Sequence, residues 1–163
     1  MQVRVVRGDV LSEYVDVLIC PANPSLRLSG GDSDAILRRG GWSVQEELDR
    51  YLTRMGLASV EPGTVVRTGP GPLQVRTILH AVDMTATGET RLDLVQTVLR
   101  RALRQAGLLE MLTVAIPPLG TSMKEFAGAL RAAALDLHPA VDEVRVVVKR
   151  ADDAALVQGM LAA

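Results

Sequence analysis

Three short stretches place small or polar residues directly after apolar runs: Gly8-Asp9-Val10, Asn23 with Ser29-Gly30-Gly31, and Gly120-Thr121-Ser122. A carboxylate only accepts hydrogen bonds, a carboxamide both donates and accepts, and glycines let backbone N–H groups come close to a bound group. In open α/β sheets, ligands sit at the ends of strands, which is where such residues would be needed. Singly, Gly-Asp and Gly-Gly also mark ordinary turns, so the functional expectation rests on their joint order.

Other reactive side chains are few. One cysteine, Cys20, excludes an internal disulfide, and with only His80 and His138 beside it the chain cannot furnish a thiolate zinc centre. No metal or other cofactor is expected. Cys20, inside an apolar run, reads as a small buried hydrophobe, and His80 as a hydrogen-bonded structural histidine at a strand end. His138, beside Pro139, reads as a helix terminus. The net charge of -1 comes from scattered residues, which gives no basic stripe for a phosphate backbone and disfavours nucleic acid. No apolar run approaches the roughly 20 residues that span a bilayer, and none resembles a signal peptide. The expected location is cytoplasmic, without membrane association.

The elements that must position these residues follow from periodicity. At 163 residues and 48% hydrophobic, the chain suits one domain, residues 1–163; with 2% aromatics its core must be aliphatic. Val3 to Val6, Val15 to Cys20, Thr64 to Thr68, Arg76 to Val82, Thr113 to Ile116 and Val144 to Val148 read as strands. The fourth of these follows a Gly/Pro-rich turn through Gly69-Pro70-Gly71-Pro72. Ala35 to Arg39 reads as a short helix with Asp32, Ser33 or Asp34 available as its cap, stopped by Gly40-Gly41. A second helix follows from the capping-box spacing of Ser43-Val44-Gln45-Glu46 and ends before Gly56. Leu92, Val95, Leu99, Leu103 and Ala106 form a helical stripe ending at Gly107, Phe126 to Leu137 reads as another helix, and Asp152 or Asp153 caps the last. The order β-β-α-α-β-β-α-β-α-β-α is that of an α/β fold.

Over nearly its whole length the chain resembles the macro-domain family. The matching pieces are Gly8-Asp9-Val10, the run Val15 to Asn23, Gly30-Gly31 before Ala35-Ile36, Gly40-Gly41, Gly63 to Thr68, Ile78 to Val82 with Met84, and Ala115 to Thr121. The resemblance implies a three-layer α/β/α fold with a mixed sheet of about six strands, and a cleft at the strand ends for ADP-ribose or a related nucleotide, free or attached to protein. By the same resemblance, Asp9 accepts from the adenine amine and Val10 offers its N–H to the ring. Asn23 contacts the ribose farther from adenine. Ser29, Gly30, Gly31 and Ser33 belong to the first phosphate loop, and Gly120, Thr121, Ser122 and Met123, with Phe126 beyond, to the second.

The chain departs from the family pattern in both loops. Asp32 stands where a small residue is usual, and a carboxylate 4 Å from a phosphate charge is unfavourable by about 1 kcal/mol in water and about 4 at an effective dielectric of 20. Asp32 is therefore expected either to turn outward as a cap or to weaken binding. Ser33 stands where hydrolytic members of the family have an aspartate, and serine is a poor base. That leaves Asn23, Asp32 and Asp34 as the catalytic candidates. Lys124 and Glu125 replace glycines, which is expected to strain the second loop wherever positive φ is required. Lys149 and Arg150 stand where relatives often carry an aromatic ring. A binding module is the leading expectation, ahead of a degenerate cleft with a structural or interaction role, and of an ADP-ribosyl hydrolase.

Overall fold

A computed structural model of the chain describes residues 2–39 and 41–162; of the expected helix stop, Gly40 lies outside these. Six strands, β1 (Gln2–Arg7), β2 (Val17–Ala22), β3 (Val65–Thr68), β4 (Thr77–Val82), β5 (Thr113–Ile116) and β6 (Glu143–Val148), form one sheet in the order β1-β6-β5-β2-β4-β3. β3 runs antiparallel to β4, and the other neighbours are parallel. Five strands therefore point their C-terminal ends to the same edge of the sheet. The central strands read as continuous apolar runs because helices cover both faces.

The helices are α1 (Gly31–Arg38), α2 (Trp42–Met55), α3 (Leu92–Leu108), α4 (Met123–Ala134) and α5 (Ala151–Ala162). Ile36 of α1 and Val44 and Leu48 of α2 pack with Leu18, Cys20, Val66 and Ile78 on one face. Val95, Val98, Leu99, Ala102 and Leu103 of α3, with Phe126 and Leu130 of α4 and Val157 of α5, pack with Ile19, Leu79, Val114 and Val146 on the other. This is the expected mixed six-stranded α/β/α fold.

Several helix ends differ from the sequence-based expectation, each for a local reason. α1 starts at Gly31 with Gly30 as its N-cap residue, and neither Asp32, Ser33 nor Asp34 caps it. α2 starts one residue before Ser43, behind Gly41, so the Ser43 to Glu46 spacing lies inside the helix and makes no capping box. The tight joint with α1, where the Gly41 N–H bonds Ile36 O at 3.0 Å, sets that start. α4 begins three residues before Phe126 because Ser122 caps it, accepting from Glu125 N at 3.2 Å. Asp152 and Asp153 fall in the first turn of α5. Gly107 does not end α3; the left-handed residue there is Glu110. Gly107 instead makes room for His138, whose Cβ and Cγ would lie 2.3 Å from any Cβ added at that position. His138 lies beyond α4 and accepts from Ala140 N at 3.1 Å.

Candidate functional site

The ends of β1, β2, β4, β5 and β6 bring Gly8, Asn23, Asp83, Pro117 and Lys149 to one edge of the sheet. Beyond β1, Asp9 Oδ1 accepts from Leu11 N at 3.0 Å and starts a single 3-10 turn, Val10–Ser12. Oδ2 accepts from the guanidinium of Arg39 and from Ser12 Oγ at 3.4 Å. Burial works to raise the Asp9 pKa, but the Leu11 N–H, the Arg39 charge and the Ser12 hydroxyl outweigh it and hold the carboxyl below its ordinary value. Asp9 is thus an ionised acceptor that also makes its own turn.

Two clefts meet over this turn. One, of about 540 Å³, is lined by Gly8, Asp9, Gly31, Asp32, Arg39 and Lys149 among others. The second, of about 350 Å³, is lined by Gly8, Val10, Asp32, Pro117, Pro118 and Arg150 among others. Asp32 is shared by both, so it faces the clefts instead of turning outward as a cap. Burial raises its pKa, the Lys149 charge opposes this, and Asp9 adds to it. Its only ion-pair partner among the described residues is Lys149, at 3.9 Å. Asp34 is paired with Arg38 at 3.0 Å and lines neither cleft.

Asn23 also lines neither of these clefts. Its Nδ2 donates to Arg27 O at 3.0 Å and Ser29 Oγ at 3.3 Å, while Oδ1 accepts from Ser25 Oγ at 2.9 Å and Arg27 N at 3.1 Å. The carboxamide ties residues 23–29 into a closed loop. From below, the buried Gln45 of α2 accepts from Leu28 N at 2.8 Å and donates to Leu26 O at 3.0 Å. Leu26, with φ of 54°, is held in the left-handed region by these bonds. In the sequence Gln45 stands out only as part of the Ser43 to Glu46 spacing, which offers no sign of this role.

The second loop is less strained than expected. Gly120 alone in it has a left-handed φ, 73°, and a Cβ there would come within 2.9 Å of Val95. Ser122 to Glu125 form the cap and first turn of α4, where no glycine is needed, so Lys124 and Glu125 carry no backbone penalty. Met123, in that first turn, is half-buried and packs against the core. Thr121 Oγ1 lies 3.1 Å from Thr90 Oγ1. Gly120 N donates at 2.8 Å to Asp83 Oδ2. The sequence reading missed Asp83, although it directly follows an apolar strand, as Asn23 does.

Two expected contact residues are withdrawn from the surface. Phe126 is fully buried in the core, because α4 starts early enough to turn it onto the sheet. Ser33 is buried, donates to Pro21 O at 2.9 Å and lies 3.6 Å from Cys20 Sγ. Burial pushes the Cys20 thiol up to about 12, so it stays protonated, as a small core residue should. His80 is buried with Nε2 2.9 Å from Thr68 Oγ1; since that hydroxyl donates to Gly69 O, Nε2 carries the ring proton and Nδ1 is a bare acceptor. Burial alone lowers the His80 pKa to about 3. Among the described residues, no group of three or more His, Cys, Asp or Glu is placed to hold a metal, and no helix is long and apolar enough to cross a membrane.

An α/β/α sandwich with clefts over the ends of its parallel strands is an architecture in which ligands bind at that edge of the sheet. The family model for the Macro domain matches residues 19–134, and the chain belongs to that family. A Streptomyces nogalater macro domain-containing protein is 33% identical over 152 residues, covering 90% of this chain and 84% of the relative. A Thermotoga maritima protein is 31% identical over 157 residues, covering 89% of this chain, which spans only 26% of that longer relative. A Sulfolobus acidocaldarius relative is matched over 66% of its length. Among solved structures, the Oceanobacillus iheyensis macrodomain with ADP superposes with a TM-score of 0.85 at 23% identity, covering 97% of this chain and 88% of that one. The Trypanosoma brucei macrodomain in complex with ADP gives 0.81 at 19%, covering 98% and 68%. At these identities the structures establish the shared fold.

Proposed function

We propose that the chain is a binding module for ADP-ribose, free or attached to a protein, with the adenine end over Asp9. The observation that carries this reading is the 540 Å³ cleft at the strand ends, which holds an ionised acceptor, Asp9, beside the start of α1 at Gly31. An acceptor without a donor suits the adenine amine and rejects the guanine edge. Val10 offers the adjoining N–H. Asn23 with residues 29–31, and Gly120 to Ser122, would hold the distal ribose and the diphosphate farther along the same edge. The family membership and the macrodomains solved with ADP or ADP-ribose support the ligand class. Calorimetry with ADP-ribose tests the reading. Saturable binding is expected, and no heat at millimolar ligand removes it.

A second reading, a cleft that has lost its ligand, is favoured by one observation: Arg39 already occupies the Asp9 carboxylate and Lys149 reaches toward Asp32. Tight binding of ADP-ribose by the native protein excludes it. For hydrolysis, the serine at position 33 is buried under Pro21, and the one acid lining both clefts is Asp32. Incubation with ADP-ribosylated protein at high protein concentration decides the point, and unchanged modification rejects turnover.

A further inference from the structure

We propose that Asp83 is the positioning residue of the second loop, and that seating a diphosphate on that loop is coupled to uptake of a proton by Asp83. The proposal rests on the ADP-ribose reading above for its ligand, and on the geometry of the loop for its mechanism.

Asp83 follows the last residue of β4 and is 2% exposed. Its two oxygens have different surroundings. Oδ2 accepts from Gly120 N at 2.8 Å, whereas Oδ1 has no hydrogen-bond partner. A buried carboxylate with one bare oxygen is held at a disadvantage relative to its neutral form. Burial accordingly moves the Asp83 pKa above the ordinary value, against the hydrogen bonds from Gly120 and from its own backbone N–H. No cation among the described residues offsets the charge. On β2 the protonated thiol of Cys20 feels the charges of both Asp83 and Asp32 of α1. On β4, His80 is neutral. At the start of α3, Arg91 and Asp93 pair with each other at 3.2 Å, and at the start of α4 Lys124 and Glu125 are exposed to solvent.

This arrangement separates anchoring from charge. A proton from solvent adds to Oδ1, forming one O–H bond, while Oδ2 keeps the Gly120 N–H. The loop therefore stays latched when the carboxylate is neutralised. A diphosphate seated on Thr121 and Ser122 brings like charge toward Asp83, which raises its proton affinity further and draws the proton in. One charge pair at 4 Å in water corresponds to about a fivefold change in affinity, and more at lower dielectric. Binding is thus favoured as pH falls through the raised titration of Asp83, where the diphosphate itself stays ionised.

The test compares native protein, Asp83→Asn and Asp83→Ala by calorimetry with ADP-ribose at about pH 5.5 and about pH 8, in buffers of different ionisation heat. Native protein is expected to take up a proton fraction on binding and to bind more weakly at the higher pH, by about fivefold for one charge pair at 4 Å in water. Asp83→Asn keeps an acceptor for Gly120 without the charge, so it should bind with no proton uptake and no pH dependence. Asp83→Ala should bind weakly at both pH values, because the loop loses its anchor. In the ligand-free protein, the Gly120 amide resonance should titrate with a midpoint above the ordinary carboxylate value, and not in Asp83→Asn. Equal native affinity at both pH values without buffer-dependent heat overturns the proposal, as does undiminished uptake in Asp83→Asn. If ADP-ribose binds at neither pH, the ligand reading falls on its own, and the Gly120 titration still decides: a static resonance in native protein overturns the role of Asp83, and a midpoint abolished by Asp83→Asn upholds it. Should Asp83→Ala fail to fold, the native and Asp83→Asn comparison is sufficient.

Discussion

The guanidinium of Arg39, at the end of α1, holds the carboxylate of Asp9, at the end of β1, at the mouth of the cleft. Any adenine amine that reaches Asp9 competes with this pair. The two side chains are about 40% exposed, which limits the pair to roughly 0.2–1 kcal/mol. Arg39→Ala is therefore expected to tighten ADP-ribose by up to about fivefold. A tenfold loss in calorimetry would show instead that Arg39 itself touches the ligand.

Asp9→Asn adds a donor where only an acceptor stands. The preference for ADP over GDP should fall by roughly tenfold or more in a competition assay. An unchanged ratio would move the base contact away from β1. The substitution also removes a carboxyl held below its ordinary pKa, whose contribution is present above the unfolded value and lost as pH falls through the folded one. The acid limb of a stability profile should flatten accordingly.

Gln45→Ala leaves Leu28 N and Leu26 O buried without partners. A cost of roughly 2–3 kcal/mol in urea unfolding is expected, with faster amide exchange in residues 24–30. A change confined to α2 would show that the loop holds its shape through Asn23 alone.

His80 has a folded pKa near 3 against an ordinary value of 6.5, so below the unfolded value the unfolded chain takes a proton that the fold refuses. Its contribution is complete above about pH 6.5 and is lost as pH falls, by up to about 1.4 kcal/mol per unit. Asp32 and Asp83, with raised values, act in the opposite sense, so the native-minus-variant difference isolates the histidine. Unfolding of native protein and His80→Gln at pH values of about 7 and 5 should diverge in slope, and parallel profiles would refute the burial argument.

Lys124→Gly and Glu125→Gly restore the family's glycines but sit in the first turn of α4. Each is expected to lower stability by up to about 1 kcal/mol without improving affinity. Tighter ADP-ribose binding by the double variant would show that these side chains obstruct the diphosphate.

The strands, their order of occurrence and the apolar helix faces were legible because they depend on local periodicity, as with Leu99 and Leu103 of α3 or Val144 to Val148 of β6. Helix starts were not, since Gly41 and Ser122 act through the joints that precede them and not through their own spacing. Asp9, Asn23 and Gly120 were singled out by family order. Arg39, Asp83 and the pairing of Lys149 with Asp32 were missed because the partners lie 30, 37 and 117 positions apart in the chain. No window of sequence pairs residues at such distances. Phe126 and Ser33 were placed on the ligand because family order records position and says nothing of which way a side chain faces.

The groups that would grip the two extremities of the ligand ride on strands three places apart, β1 and β2, with β6 and β5 between them. Hydrogen-bonded strands are spaced at roughly 4.8 Å, so the sheet sets these grips about 14 Å apart and works as a ruler. A molecule shorter than this gauge, such as a nucleoside alone, would then engage one grip only. In the proposed binding mode, length, measured by backbone that cannot stretch, would be a criterion of selection in its own right.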